Sequence, residues 1–328
     1  MLKLINILNH ICYRWLHHVL EFFNYQILKL RLIFSKYNDF NLGDEYQLLA
    51  RFEGLRGSQE GQSAKDFLGT MELEEYLPAS VLLPLAGSEI PESIAVDEEY
   101  FEWLSLLSAV ENSNGNFTFI ELGAGYGRWS ARAFKAAIRI GMDSESIKLI
   151  TVEAEPKHSD WCMKHLQVNG VPERSHVHFQ NAISNFNGWS DFFVKSPWMT
   201  RSESEKNWYG QALATSDWVG AETERVMTIT LNDVFMKIPQ GVVIDLIDSD
   251  LQGEDFKVFS HDPSLLERVK RVHIGTDSLL EEIRFQQFFL KLGWKNLYNF
   301  TGRGVRHTHA GTISFVDGVQ SWLNPKYF

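Results

Sequence analysis

Cysteine is scarce here: the 328 residues hold two, Cys12 and Cys162. Thiols so far apart build neither a disulfide framework nor a zinc cluster, and their scarcity fits a reducing, cytoplasmic setting. Positive charge is also short. Lys and Arg number 31 against 42 Asp and Glu, for a net charge of −11. A surface of that sign repels a phosphate backbone, which argues against a nucleic-acid partner. Uninterrupted apolar runs are missing too. Lys3, Arg14, Glu21, Lys29 and Arg31 break every early window long enough to span a bilayer. The same segment lacks the charged start, the clean apolar run and the small-residue cleavage site of a secretory signal. Global disorder is excluded by what is present: 44% apolar and 22% charged residues can bury a substantial core.

Between residues 2 and 35, Ile5, Leu8, Cys12, Trp15, Leu16, Val19, Phe23, Ile27, Leu30 and Phe34 recur near the helical period. Such helices either pack on the main domain or, with Lys, Arg and His beside Trp and Phe, lie as a peripheral contact on the inner membrane face. Residues 36–96 read as irregular, with a Gly/Ser/Gln-rich loop over 54–62, short helices over 71–83 and punctuation at Pro78, Pro84 and Pro91. The expected organisation is an N-terminal helical extension and linker over 1–96, followed by one domain over 97–328.

From Asp97 onward, strands and helices alternate. A capped helix with Tyr100, Trp103, Leu104, Leu107 and Val110 on one face precedes strands expected at 117–122, 148–153, 176–182, 242–247 and 271–274. Helices are expected over about 129–139, 157–168 and 279–292, and a final strand, antiparallel and near the edge, over 311–316. This pattern predicts an α/β fold: a doubly wound, Rossmann-like, mostly parallel seven-stranded sheet with helices on both faces.

The stretch Phe117-Thr-Phe-Ile-Glu-Leu-Gly-Ala-Gly-Tyr-Gly127 is the most informative. A strand runs into glycines at 123, 125 and 127, then into a helix whose first N–H groups are free. Glycines permit the turn and close approach of a ligand, and the helix start attracts an anionic group. Dinucleotide binding wants G-x-G-x-x-G, which places the third glycine at 128, where this chain has Arg. The spacing is instead E-x-G-x-G-x-G from Glu121, which leaves a nicotinamide dehydrogenase disfavoured. The candidate binding residues are Glu121, Gly123, Ala124, Gly125 and Gly127. Glu153, at the end of the second strand, is placed to accept hydrogen bonds from ribose hydroxyls, with Glu155 one strand period further on. Asn181 and Ala182, after the third strand, can read an adenine edge.

Four stretches together resemble the FkbM-type class of S-adenosylmethionine (SAM)-dependent methyltransferases: Ile-Glu-Leu-Gly-Ala-Gly-Tyr-Gly-Arg-Trp at 120–129, Val-Glu-Ala-Glu-Pro at 152–156, Asn-Ala-Ile-Ser at 181–184, and Val-Ile-Asp-Leu-Ile-Asp-Ser-Asp-Leu-Gln-Gly-Glu-Asp at 243–255. Arg-Val-His-Ile-Gly-Thr at 271–276 and Asp-Gly-Val-Gln-Ser-Trp at 317–322 look like a glycan-associated branch. The resemblance covers about 97–325. It implies SAM as cofactor and O-methylation, with a sugar or surface glycan as the acceptor. The chain departs from the class pattern D-L-x-K-x-D-x-E-G-x-E: Asp248 stands at the lysine position and Gln252 at the first glutamate, while Asp277 replaces a histidine of the branch.

Transfer to a sugar hydroxyl needs alignment and a base. Asp250, Asp248 and His273 lie at the ends of the fourth and fifth strands and are the candidates. The two aspartates alternate with Ser249, so they share a face if the strand continues. They serve as base and partner, or hold a divalent cation, or cap the following helix. Residues 185–225 form a long insertion with Trp189, Trp198, Trp208 and Trp218, and with Arg201, Glu203 and Gln211 among them. This is either a sugar-binding lid or a small core under a loop. His307 and His309 lack companions for a metal set and read as exposed strand residues. Two further readings stay open: methylation of a small metabolite or lipid, and a SAM-fold module that binds without turnover.

Overall fold

A computed structural model describes residues 42–52, 54, 65–72, 75, 88–196, 199–202 and 222–328, all within one compact unit, Asn41–Phe328. The helices expected over 2–35, nearly all of the loop over 54–62, and Trp198, Trp208, Trp218, Glu203 and Gln211 lie outside the described residues. The compact unit takes in segments that the sequence reading assigned to the extension before residue 97. Leu48, Phe52, Phe67, Leu68 and Ile94 all contribute to its core.

In chain order the elements begin with helices α1 (Leu42–Arg51) and α2 (Tyr100–Glu111), strand β1 (Phe117–Leu122), helix α3 (Arg128–Arg139), strand β2 (Ile147–Glu153) and helix α4 (Pro156–Val168). Strands β3 (His176–Gln180), β4 (Ala182–Ile183), β5 (Gly188–Ser196), β6 (Met199–Ser202) and β7 (Glu222–Ile229) follow, then α5 (Leu231–Phe235), β8 (Leu246–Ser249), α6 (Asp255–His261), β9 (Arg271–Thr276) and α7 (Leu279–Lys291). The chain closes with β10 (Lys295–Phe300), β11 (Gly304–His307), β12 (Thr312–Phe315) and β13 (Gly318–Leu323).

The main sheet has seven strands in the order β10-β13-β9-β8-β1-β2-β3. The run from β9 to β3 is parallel, while β13 is antiparallel to both of its neighbours. Alternation along the strands explains the layers. Phe117, Phe119, Leu149 and Leu246 pack with α2 and α3, whereas Ile120, Leu122, Ile150, Val152, Ile247, Val272 and Ile274 pack with α5, α6 and α7. Helices therefore cover both faces, as the α/β reading expects. Each fully buried large apolar side chain contributes about 1.5–3 kcal/mol to this arrangement.

Local chemistry sets the helix ends. Gly127 precedes α3 at φ 72. Glu155 caps α4 by accepting from the His158 N–H, and Pro156 opens it with a preset φ. Ser278 caps α7, and Gly293 at φ 78 stops it.

Three expectations are corrected. The segment 311–316 does not join the main sheet: Thr312–Phe315 pairs with Gly304–His307 in a two-stranded ribbon, its Ile313 and Phe315 turned into the core. The antiparallel strand is β13, one place in from the edge. Its sequence conceals it, because Gln320 and Ser321 are buried but satisfied: Gln320 Nε2 donates to the Glu282 carbonyl, and Ser321 meets His273. The fourth strand forms a regular ladder only from Leu246, since Ile244 makes a single bridge to Val269 and the Asp245 carboxylate takes the Thr118 N–H. The described parts of the insertion are strands where a loop was expected: β5, β6 and β7 join β4 in a second, four-stranded sheet. Among the described residues no helix is long and apolar enough to cross a membrane.

Candidate functional site

The carboxyl ends of β1, β2 and β8 open onto a cleft of about 240 Å³. Gly123, Gly125, Glu153, Asn181, Ala182 and Asp250 line it, joined by His158, Leu251, Gln252 and Glu254, which the sequence did not single out for a site role. The glycine turn is built as its spacing implies. Gly123, Gly125 and Gly127 have φ values of 76°, 53° and 72°. A Cβ on Gly123 would stand 2.0 Å from the Asp250 carbonyl oxygen, and one on Gly127 would stand 2.7 Å from Cys162 Sγ. At Gly125 a Cβ would meet nothing within 4 Å, so its bare backbone faces open space.

Glu153 sits against this turn. Its carboxylate accepts from the Gly125 N–H at 2.6 Å and from the Glu155 N–H at 2.8 Å. Burial pushes its pKa up to about 7, although both N–H donors pull the other way. Glu155 is committed elsewhere, as the cap of α4. Asn181 Nδ2 donates to the Met227 carbonyl, which ties the cleft wall to the second sheet.

Asp250 lies just past the end of β8, where its backbone N–H donates to the Leu122 carbonyl. Gln252 follows with φ 53, a left-handed conformation rarely held by a side-chain-bearing residue. It directs the amide Nε2 onto Asp250 Oδ1 at 3.0 Å. A glutamate at this position would repel Asp250, so the departure from the class pattern gives Asp250 a donor in place of a second negative charge. The carboxylate faces the open cleft, but the protein crowded beneath it raises its pKa.

The remaining sequence candidates occupy a layer beneath. Parallel register places Thr151, Glu121, Asp248 and His273 side by side across β2, β1, β8 and β9, continuing to His178 on β3 and Ser321 on β13. Helical serines answer this rung. Ser130 of α3 donates its N–H and hydroxyl to Glu121, Ser105 of α2 and Ser321 meet His273 Nδ1, and Ser159 of α4 meets His178 Nε2. Glu121, Asp248 and His273 are all buried, and none of them lines the cleft. Burial lowers the His273 pKa to about 3, leaving a neutral imidazole. Asp248 and the neighbouring Glu102 are both pushed well above the usual carboxylate range by burial and by the charges around them, so the pair holds a proton. Ala124 packs with Ala131, Cys162 and Leu166, and Gly127 heads α3; neither lines the cleft.

Two other candidates have structural partners. Both histidines are exposed as expected, His307 on β11 and His309 just beyond it, but both have partners: His309 Nε2 bonds both carboxylate oxygens of Glu45 at 2.8 and 2.9 Å, and His307 Nδ1 meets Thr312. Trp189 of β5 is 57% exposed and lies beneath the Arg225 guanidinium.

The sequence profile of the Methyltransferase FkbM domain matches residues 121–301. A protein of Jannaschia sp. (strain CCS1), provisionally described as a methyltransferase, is 27% identical over 253 residues, 75% of this chain and 87% of that one. Among solved structures, Methyltransferase FkbM from Methylobacillus flagellatus KT superposes with a TM-score of 0.40 at 8% identity, over 64% of this chain and 44% of that one, so this chain spans less than half of its length. A protein from Klebsiella pneumoniae, provisionally described as an O-methyltransferase, gives 0.38 at 11% identity over 70% and 82%.

Proposed function

Because the chain belongs to the FkbM methyltransferase family, we propose that it transfers the methyl group of SAM to a hydroxyl of a sugar or surface glycan, with Asp250 as the base. The observation that carries this reading is the convergence on one cleft of an open glycine backbone, the Glu153 carboxylate and the Asp250 carboxylate.

The cleft fits the cofactor on its own features. Gly125 leaves open the volume that any side chain would fill. Glu153 offers acceptors for ribose hydroxyls, and Asn181 and Ala182 line the cleft with groups suited to an adenine edge. The N–H groups expected to be free at the turn and at the start of α3 are instead spent within the chain: Gly123 and Ala124 donate to the Val152 carbonyl, Gly125 to Glu153, and Trp129 and Ser130 to Glu121. Glu153, Asp250 and Glu254 make the cleft acidic, which suits a cationic ligand. When bound, SAM supplies an electrophilic methyl carbon on a sulfonium. Asp250 takes the proton of the acceptor hydroxyl as that oxygen attacks, and its raised pKa makes it a stronger base than a surface aspartate. Gln252 holds the Asp250 carboxylate in place through its amide. The acidic surface and the scarcity of cysteine support a cytoplasmic site of action without a nucleic-acid partner.

The test is release of S-adenosylhomocysteine in the presence of candidate glycans, with labelled methyl followed into the acceptor. Wild type turns over, while Asp250→Asn loses turnover and keeps SAM binding. A chain that binds SAM and methylates no hydroxyl acceptor would sink the O-methylation reading.

A further inference from the structure

A second group of carboxylates lies beside the cleft and outside the proposed chemistry. Asp255 opens α6, Asp277 sits in the β9–α7 turn, and Glu281 lies in the first turn of α7. One oxygen from each falls within 4.8 Å of the other two. Asp255 is 0% exposed and Glu281 4%. Asp277 Oδ2 is sealed from solvent and accepts no hydrogen bond.

The donors present do not balance three charges. Asp255 accepts from the Ser249 hydroxyl and, at 3.0 Å, from the Leu251 N–H. Glu281 accepts only long bonds, from the Phe256 N–H at 3.4 Å and the Asp277 N–H at 3.3 Å. Among the described residues no lysine, arginine or histidine forms an ion pair with any of the three. Asp250 and Asp317 add further negative charge to Asp277. Three carboxylates, two buried and the third half-buried with one sealed oxygen, have no counter-charge and must take up protons or bind a cation.

We infer that Asp255, Asp277 and Glu281 form a divalent-cation site, with Asp277 Oδ2 as the ligand left unpaired in its absence. The donor set is hard oxygen only, which selects Mg²⁺, Mn²⁺ or Ca²⁺ over zinc or copper. Ligands about 2.1–2.5 Å from such an ion stand roughly 3–5 Å from one another, the spread found here. With three protein ligands, the remaining positions go to water or to an oxygen of a molecule in the cleft. The ion would join the turn after β8 to the start of α7.

The site stands independently of the proposed methyl transfer, and its test uses a separate readout. The full chain, treated with chelator, is titrated with Mn²⁺; free ion is followed by electron paramagnetic resonance and the melting temperature is recorded at each step. One bound Mn²⁺ per chain and a rising melting temperature are expected. Asp277→Asn binds at least tenfold more weakly, and without metal melts at or above wild type, because a repelling charge is gone. If Asp277→Asn does not fold, Glu281→Gln gives the same readout. No Mn²⁺ bound by folded wild type at millimolar concentration, or equal binding in folded Asp277→Asn, overturns the proposal. SAM titration of the same samples reports the methyltransferase reading separately, so either can fail alone.

Discussion

Along the face of the sheet covered by α2 and α3, one rung holds Thr151, Glu121, Asp248 and His273, and the positions two residues further along hold Glu153, Gly123, Asp250 and Gly275. The two sets point the same way and differ in depth by one strand period, roughly 6.6 Å. The inner rung is roofed by helices that supply Ser105 and Ser130. The outer one alternates acid and glycine. Gly123 lets the backbone after β8 pass close, and Gly275 leaves room beside Asp250. Equivalent side-chain chemistry therefore serves the fold on one rung and faces a ligand on the next, and the helical roof makes the difference.

The sharpest way to break this comparison is to neutralise one aspartate from each rung. Asp250→Asn is expected to lower kcat by about 10²–10⁴-fold with SAM binding intact, as for loss of a general base. Asp248→Asn should leave turnover unchanged. Steady-state kinetics with a glycan acceptor reads both, and an equal loss in the two variants would erase the distinction.

Gly123→Ala puts a Cβ against the Asp250 carbonyl and forces φ 76 on an alanine. It should cost about 3 kcal/mol of stability. Gly125→Ala has open space and should cost only about 1–2 kcal/mol, from its left-handed φ. Thermal melts that rank the two in the opposite order would contradict the geometry.

Glu153→Ala removes the acceptor of two backbone N–H groups along with the proposed ribose contact. SAM affinity should fall by about 1–3 kcal/mol, measured by calorimetry.

A pH series sharpens the inner-rung account. The Asp248 pKa is raised in the folded chain, so the stability it contributes is whole below about pH 4 and is lost as pH rises through the raised value. Asp248→Asn has no such loss. Its melting temperature should gain on wild type as pH rises above about 4, and a constant difference would refute the protonated pair. The smallest effect belongs to Ser105→Ala, which removes one partner of His273 and should cost about 0.5–1.5 kcal/mol without touching turnover.

Much of this was legible in the sequence. The glycine spacing, the apolar strand at Phe117–Leu122 and the acid ending the second strand belong to local patterns, and local patterns fixed the turn and its acid. The depth of each acid was not legible. Asp248 and Asp250 share a face, as alternation says, but where the helical roof ends depends on α2 and α3, which pack from distant sequence. The strand β13 was missed because its buried Gln320 and Ser321 look like surface residues until their partners, Glu282 and His273, are in place. The second sheet was missed because β7 lies far along the chain from β5, and turn signals say nothing about such a pairing.

The most direct test of the central claim is calorimetric titration of the full chain with SAM, S-adenosylhomocysteine and NAD, beside Gly125→Arg and Glu121→Gln. Micromolar SAM binding, abolished when an arginine at 125 fills the space before the glycine turn and kept in a folded chain altered only at the inner rung, is the predicted result. A folded wild-type chain that binds no SAM, or that binds NAD in its place, would contradict the account.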